Sequence, residues 1–265
     1  MTDAPSSDGF AWLPFVDRLA DAASAAILPH FRSAMAVENK EALAFDPVTV
    51  ADKGAEEAIR GLIGADYPEH GILGEEYGDQ SGDAEHVWVI DPIDGTRAFI
   101  SGLPVWGTLI GLKRHGVPVF GMMAQPFTGE RFSGDGKSAY YTGPGGERPL
   151  KTRKCAAIGD ATLFTTTPAL FKGADRAAYD RVERAARLPR YGCDCYAYCM
   201  LAAGQIDLVV ETELKTFDIM PLIPVIEGAG GVVTNWDGGS AIEGGRIVAA
   251  GDPRLHAAVL EMLAG

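Results

Sequence analysis

No stretch of this chain is both long and uncharged. The longest runs without Asp, Glu, Lys or Arg are residues 98–112 and 115–129, 15 residues each and broken by Gly and Pro. A helix needs about 20 mostly apolar residues to cross a bilayer, so no membrane span is predicted. Cationic side chains are scarce: 23 Lys and Arg stand against 36 Asp and Glu, a net charge of −13. Nucleic-acid binding relies on basic groups that neutralise phosphates, and none is expected here. Cationic ligands and metal ions suit this balance better. The four cysteines, Cys155, Cys193, Cys195 and Cys199, are too few for a disulfide scaffold. Three of them form C-x-C-x3-C, without the C-x2-C pairs or the nearby His of structural zinc, so reduced and partly buried thiols are expected. The opening MTDAPSSDGFAWLPFVDRLA has no basic region, and Asp17 and Asp21 interrupt its apolar residues. No secretory leader is read there, and a cytoplasmic protein is expected.

What is present is globular. The 265 residues are 47% hydrophobic and 22% charged, enough for a sizeable core in one large domain or two intimate lobes. Apolar residues at helical spacing predict helices from 10 to about 33 and from about 50 to 66. A strand is predicted at 86–90, ending in Asp91-Pro92, followed by strands at 108–112 and 117–123. Residues 134–153 are rich in Gly, Ser, Thr and Tyr, and mark the best boundary between lobes of about 1–145 (α+β) and 146–265 (α/β). Beyond it, strands (162–166, 207–211, 232–234, 247–250) alternate with helices (175–188, 195–203, 217–228, 253–263), which predicts layers of helix on sheet.

The chemistry is concentrated in Gly74-Glu75-Glu76 and Asp91-Pro92-Ile93-Asp94-Gly95-Thr96. Two carboxylates three residues apart follow an apolar strand, and burying both is costly without a counter-charge. No Lys or Arg lies between Glu75 and Thr96, and Arg97 comes just after. A divalent cation is the better candidate, and oxygen-only ligands favour Mg²⁺ over zinc. Pro92 pins the backbone and leaves the Ile93 carbonyl to face a metal. Gly95 allows close backbone approach, and Thr96 opens a segment whose free N–H groups, if helical, would receive an anion. Such parts make a phosphoryl-transfer centre. D-P-x-D-G is equally good turn chemistry, so on these residues alone an exposed turn and a metal site both stand. Thr49 with Asp52, and Asp218, fall at helix starts, where capping is the ordinary role.

Taken together, PVTVAD (47–52), GEE (74–76), DPIDGT (91–96) and FDIMPLIPVIEGAGGVVTNWDG (217–238) resemble the inositol-monophosphatase-like family of Mg²⁺-dependent phosphatases, in the family's order and across most of the chain. ILGEEYG, DPIDGTRAFISGLPVWGTLIGL and RYGCDCYAYCMLAAGQIDLVVE are most similar to its histidinol-phosphate phosphatase branch. Cys193 and Cys199 stand where small residues such as Gly are typical. The resemblance implies a layered α-β-α-β-α sandwich, with the α+β lobe first and metals between the lobes. It implies metal ligation by Glu75, Asp91, the Ile93 carbonyl, Asp94 and Asp218. Asp52 and Thr96, with Glu75, would form the catalytic set around the attacking water, and Glu76 would lie behind the ligands. Ile93, Asp94, Gly95, Thr96 and Asp218 would meet the substrate. Members are often homodimers, although this sequence shows no interface of its own.

The charge count agrees. Glu75, Asp91, Asp94 and Asp218 sum to −4, which two Mg²⁺ neutralise, and a phosphate monoester adding about −2 leaves room for a third ion. One metal would acidify water and another would stabilise the leaving alkoxide. The segment resembling the substrate wall holds Arg190, Asp194 and Glu211 or Glu213, and acids there suit a cationic amino alcohol. The expectation is hydrolysis of L-histidinol phosphate, in histidine biosynthesis. The alternatives are inositol monophosphate or another small sugar phosphate, and a regulatory binding protein on the same fold.

Overall fold

The computed structural model describes residues 9–33, 38–39 and 47–265. Helix α1 (Leu13–Ile27) buries Phe15, Val16, Leu19, Ala20, Ala23 and Ile27, a stripe set by their spacing of three and four. It is shorter than its periodicity predicts. A 3₁₀ turn, Gly9–Trp12, precedes it, and Pro29, directly after the helical Leu28, has no N–H to continue the ladder. Strands β1 (Glu38–Asn39) and β2 (Pro47–Val48) form a small antiparallel pair ahead of α2 (Val50–Asp66). The inner face of α2 carries Ala51, Ala55, Ile59 and Ile63, and two acids, Asp52 and Glu56.

The first large sheet contains β3 (Gly71–Gly74), β4 (Gly78–Asp79), β5 (His86–Asp94), then, after the short helix α3 (Thr96–Ile100), β6 (Gly107–Arg114), β7 (Val117–Gln125), β8 (Glu130–Gly134), β9 (Ala139–Gly143) and β10 (Gly146–Pro149). Its order is β10-β9-β8-β7-β6-β5-β3-β4, antiparallel except where β3 runs beside β5. The β9–β10 hairpin lies within residues 134–153 and extends this sheet.

Strand β5 runs past the point where the sequence predicts its end. Asp91 pairs with Leu109 and Asp94 with Gly107, so three steps on β5 oppose two on β6. Such a bulge accommodates Pro92, which has no N–H for the ladder. The Pro92 carbonyl accepts from the Thr108 hydroxyl at 2.8 Å. The turn chemistry is therefore spent inside a strand, and it re-aims Asp91 and Asp94.

The second sheet is built from β11 (Thr162–Thr165), α4 (Gly173–Ala185), β12 (Leu188–Tyr191), α5 (Asp194–Ala202), β13 (Leu208–Leu214), α6 (Thr216–Ile219), α7 (Ile223–Gly228), β14 (Val232–Asn235), β15 (Gly245–Ala250) and α8 (Pro253–Ala264). Its strand order is β12-β11-β13-β15-β14. The predicted helix 175–188 stops at Ala185, and the edge strand β12 takes its last residue. The predicted helix 217–228 is divided into α6, a 3₁₀ turn (Met220–Leu222) and α7, because Pro221 and Pro224 cannot continue an α-helical ladder.

Among the described residues, three cores hold five layers together, the middle one spanning two interfaces. One joins α1 and α2 to Trp88, Ile90, Ile110 and Leu112 of the first sheet. The next joins that sheet's opposite face, with Leu109, Met123 and Phe132, to α5, α7 and Val209 and Ala249 of the second sheet. The last packs Leu208, Val210 and Val248 against Tyr179 of α4 and Val259 of α8. This is the α-β-α-β-α sandwich that the sequence implies.

The middle layer sits close because of a row of glycines. Gly111, Gly121 and Gly134 lie side by side across β6, β7 and β8. A Cβ on Gly121 would stand 1.8 Å from the Pro221 carbonyl oxygen, and one on Gly134 would stand 2.5 Å from that of Pro224. The row is a lane into which the backbone following Asp218 settles.

Candidate active site

Three chain segments deliver four carboxylates to one place. Asp91 and Asp94 come from the bulged end of β5, and Asp218 from α6. Glu75 follows β3, where its N–H donates to the Ile90 carbonyl at 3.1 Å. Carboxylate oxygens of Asp91, Asp94 and Asp218 all lie within 4.8 Å of one another. Glu75 joins through a side-chain hydrogen bond to Asp91.

Each acid is held by backbone. Asp91 accepts the Ile93 N–H at 3.0 Å. Asp94 accepts the Cys195 N–H, in the first turn of α5, at 2.6 Å. Asp218 accepts the Lys215 N–H at 2.6 Å, so it is a third-position acid of α6 rather than its N-cap. Burial, then the charge of Glu75 and the other acids, pushes the Asp91 carboxyl well above the usual range. Burial followed by the charges of Asp194 and Asp218 does the same to Asp94. Burial, with the charge of Glu75 among the smaller causes, raises Asp218 to about 7. These shifts are those of acids without a counter-charge. An all-oxygen cluster of this kind fits a hard divalent cation.

Beside it, Asp52 occupies the first turn of α2. Its Oδ2 accepts the Thr49 N–H at 2.8 Å and the Thr49 hydroxyl at 2.5 Å. Its Oδ1 is buried with no hydrogen-bond partner among the described residues. Burial raises this carboxyl to about 6 against the opposing Thr49 hydrogen bonds. The Thr96 hydroxyl donates to the Ile93 carbonyl at 3.0 Å. That carbonyl keeps a second lone pair, and the Thr96 oxygen keeps its own acceptor capacity. Gly95 has φ +83°, and a Cβ there would come 2.9 Å from Asp194 Oδ2.

The acids of the second sheet divide. Thr166, directly after β11, contacts Asp194 Oδ1 and Glu211 Oε1 at 3.0 Å each through its hydroxyl. Its N–H donates to Glu211 at 2.6 Å, and the Thr165 hydroxyl adds a further bond at 2.9 Å. Burial pushes Glu211 up to about 8. Asp194 is also raised by burial, against the Thr166 hydrogen bond and the charge of Arg97. Asp194 and Glu211 are therefore gathered on Thr166, with Asp194 set against Gly95. Glu213 points away, 53% exposed and paired with Lys172 at 3.5 Å. Arg190 is exposed on the edge strand β12, and the thiol its charge acts on is Cys193. Cys195 and Cys199 are buried in the middle core, and burial pushes both thiols well up.

Sequence reasoning missed Thr166, Arg97 and Tyr198. The Tyr198 hydroxyl is buried without a hydrogen-bond partner among the described residues, close enough to feel Glu211, Asp94 and Asp218. A threonine ending a short strand carries no local signal of this role; the pairing of β11 with β13 creates it. Glu76 and Tyr77 offer their N–H groups to Glu56 of α2, at 2.8 and 3.2 Å.

Comparison with known proteins agrees with this architecture. The model of the inositol monophosphatase family matches residues 12–264. The chain is 43% identical to the bifunctional phosphatase IMPL2, chloroplastic, of Arabidopsis thaliana, over 92% of this chain and 72% of that one. It is 34% identical to the histidinol-phosphatase of Mycobacterium tuberculosis, over 82% and 84%. It superposes on an inositol monophosphatase from Zymomonas mobilis with a TM-score of 0.85 and 38% identity, covering 96% of this chain and 99% of the other. With the match running nearly end to end, the chain belongs to the inositol monophosphatase family and is a phosphatase.

Proposed function

We propose that the chain is a Mg²⁺-dependent phosphomonoesterase that hydrolyses L-histidinol phosphate to L-histidinol and phosphate. Glu75, Asp91, Asp94, Asp218 and the Ile93 carbonyl would hold the metal. When bound, Mg²⁺ supplies positive charge to the phosphate and makes water more acidic. The chain's own groups then have distinct tasks. Asp52, with a free oxygen and a carboxyl near 6, is ionised at pH 7 and receives the water's proton. Thr96, anchored on Ile93, accepts a hydrogen bond from that water and fixes its direction. The amides at Gly95 and Thr96 face the phosphate, since the first N–H groups of a helix have no partner within it.

The observation that carries the substrate is Asp194, held by the Thr166 hydroxyl and set against Gly95. Glu211, with a carboxyl near 8, is largely protonated at pH 7, so Asp194 is the acid there that suits the ammonium of an amino alcohol. Carboxylates also accept hydroxyl protons, so inositol monophosphate is the second reading, favoured by the likeness to the Zymomonas mobilis structure. The test is kcat/KM on histidinol phosphate, inositol 1-phosphate and fructose 1,6-bisphosphate side by side with Mg²⁺. A preference for histidinol phosphate of tenfold or more, roughly 1.4 kcal/mol, supports the reading, and a preference for inositol 1-phosphate replaces it.

A further inference from the structure

Glu56 is an oddity on α2. An acid in the second turn of an amphipathic helix ordinarily faces water, yet this one has no exposed surface. It follows Asp52 by four residues, so both stand on one face of the helix. Its two oxygens are fully engaged. Oε2 accepts the Glu76 N–H at 2.8 Å; Oε1 accepts the Tyr77 N–H at 3.2 Å and the Arg60 guanidinium at 2.7 Å. Arg60 continues to the Gly78 carbonyl at 2.6 Å and the Gln80 side chain at 3.0 Å. Gly74 leaves room for this grip, since a Cβ there would stand 2.0 Å from Glu56 Oε1.

Glu75 lies between these attachments. Its own N–H is tied to Ile90, one residue before Asp91, and the next two N–H groups are tied to Glu56. We propose that Glu56, clamped by Arg60, is the positioning residue that fixes the Glu75 turn against Asp91, and so sets the affinity of the site for a divalent cation. This rests on the reading of Glu75 as a metal ligand. A flexible Glu75 would pay ordering entropy on binding, and groups that orient metal ligands are typically worth 10- to 100-fold in metal affinity. Because Asp52 sits on the same helix face, one rigid turn of α2 also places the proton acceptor relative to that ligand.

The test uses the full chain with Mn²⁺ as probe. Mn²⁺ affinity is measured by titration calorimetry for wild type, Glu56→Gln and Gly74→Ala, with thermal stability in EDTA measured alongside. Glu56→Gln keeps the volume but cannot hold both amides and Arg60 as an anion does. The expected result is a Kd for Mn²⁺ raised about tenfold or more in both variants. Phosphatase activity is expected to recover as metal is raised, with the KM for substrate unchanged. A lower melting temperature with unchanged Mn²⁺ affinity overturns the proposal, because Glu56 would then serve stability alone. Should Glu56→Gln not fold, Arg60→Lys retains a cation but cannot span Gly78 and Gln80. A two- to fivefold loss of Mn²⁺ affinity is expected there, and no loss overturns the proposal equally. Failure of the substrate reading is a separate outcome: wild type would bind Mn²⁺ tightly, lose affinity on Glu56→Gln, and prefer another ester.

Discussion

Single side chains carry the sharpest consequences. Asp91 is the most buried of the clustered acids, and the charges of Glu75, Asp94 and Asp218 all act on it. Asp91→Asn removes one charge with almost no change in volume. At saturating Mg²⁺, kcat is expected to fall at least about 10²-fold, the scale for loss of one electrostatic catalytic group; near-normal turnover would remove Asp91 from the site. Asp194 poses a different question. Its carboxylate is wedged between Gly95 and Thr166, where a desolvated contact to ammonium is worth roughly 1.5–3 kcal/mol. Asp194→Asn should raise the KM for histidinol phosphate ten- to hundredfold, by the usual conversion, while p-nitrophenyl phosphate turnover stays nearly constant. Equal losses on both esters would make Asp194 a support of the fold. The acids were legible in the sequence because two carboxylates after an apolar strand are an electrostatic problem in need of a solution. Glu56 was not, since a buried glutamate on a helix reads like any solvent-facing one until its partners are known. Arg190 and Glu213 shared a segment with Asp194 and Glu211, and linear proximity could not separate an edge strand and a surface ion pair from two buried acids gathered on Thr166.

Helices and strands were largely legible where one period dominated, as in α2. They were least legible where local chemistry was overruled. Pro92 and Gly95 announce a turn, yet the strand absorbs Asp91 to Asp94 as a bulge. Pro221 and Pro224 break a helix whose apolar pattern looks continuous, and the broken segment fits the lane of Gly111, Gly121 and Gly134. That lane places Asp218, because Pro221 follows it by three residues and lies on Gly121. Gly121→Ala forces the segment off the sheet. Overpacking of this kind costs about 1–3 kcal/mol, which for a chain of this size lowers the melting temperature by roughly 3–10 °C. The same variant should need more Mg²⁺ for half-maximal activity. A normal melting curve in Gly121→Ala would show that the layers yield without cost.

For the whole molecule, the acid cluster opposes the fold that assembles it. An unfolded Asp titrates near 3.8, while folded Asp218 titrates near 7, and Asp91 and Asp94 shift the same way. Between those pH values the folded, metal-free chain binds more protons than the unfolded one, so these groups withdraw stability as pH rises, and Asp218 withdraws no more above about 7. His70, His86 and His256 are lowered by burial and act in the opposite sense. The difference between wild type and Asp218→Asn isolates the acid. In EDTA, Asp218→Asn is expected to melt higher than wild type at pH 8 and to lose that advantage near pH 4. Millimolar Mg²⁺ should reverse the order at pH 8, and its affinity should weaken as pH falls through 7, because protons compete for the same oxygens. Identical melting curves at pH 8 would mean that the cluster stores no repulsion.

The glycine lane also bears on how such a chain can be recombined. The lane lies before Pro149, whereas the proline-broken segment that fills it lies after Thr162. A chimera that crosses over between those residues takes the groove from one parent and the insert from the other, even though the junction cuts neither sheet. Such hybrids should succeed or fail according to whether the groove-bearing parent has glycine at all three lane positions, more than according to the overall identity of the parents.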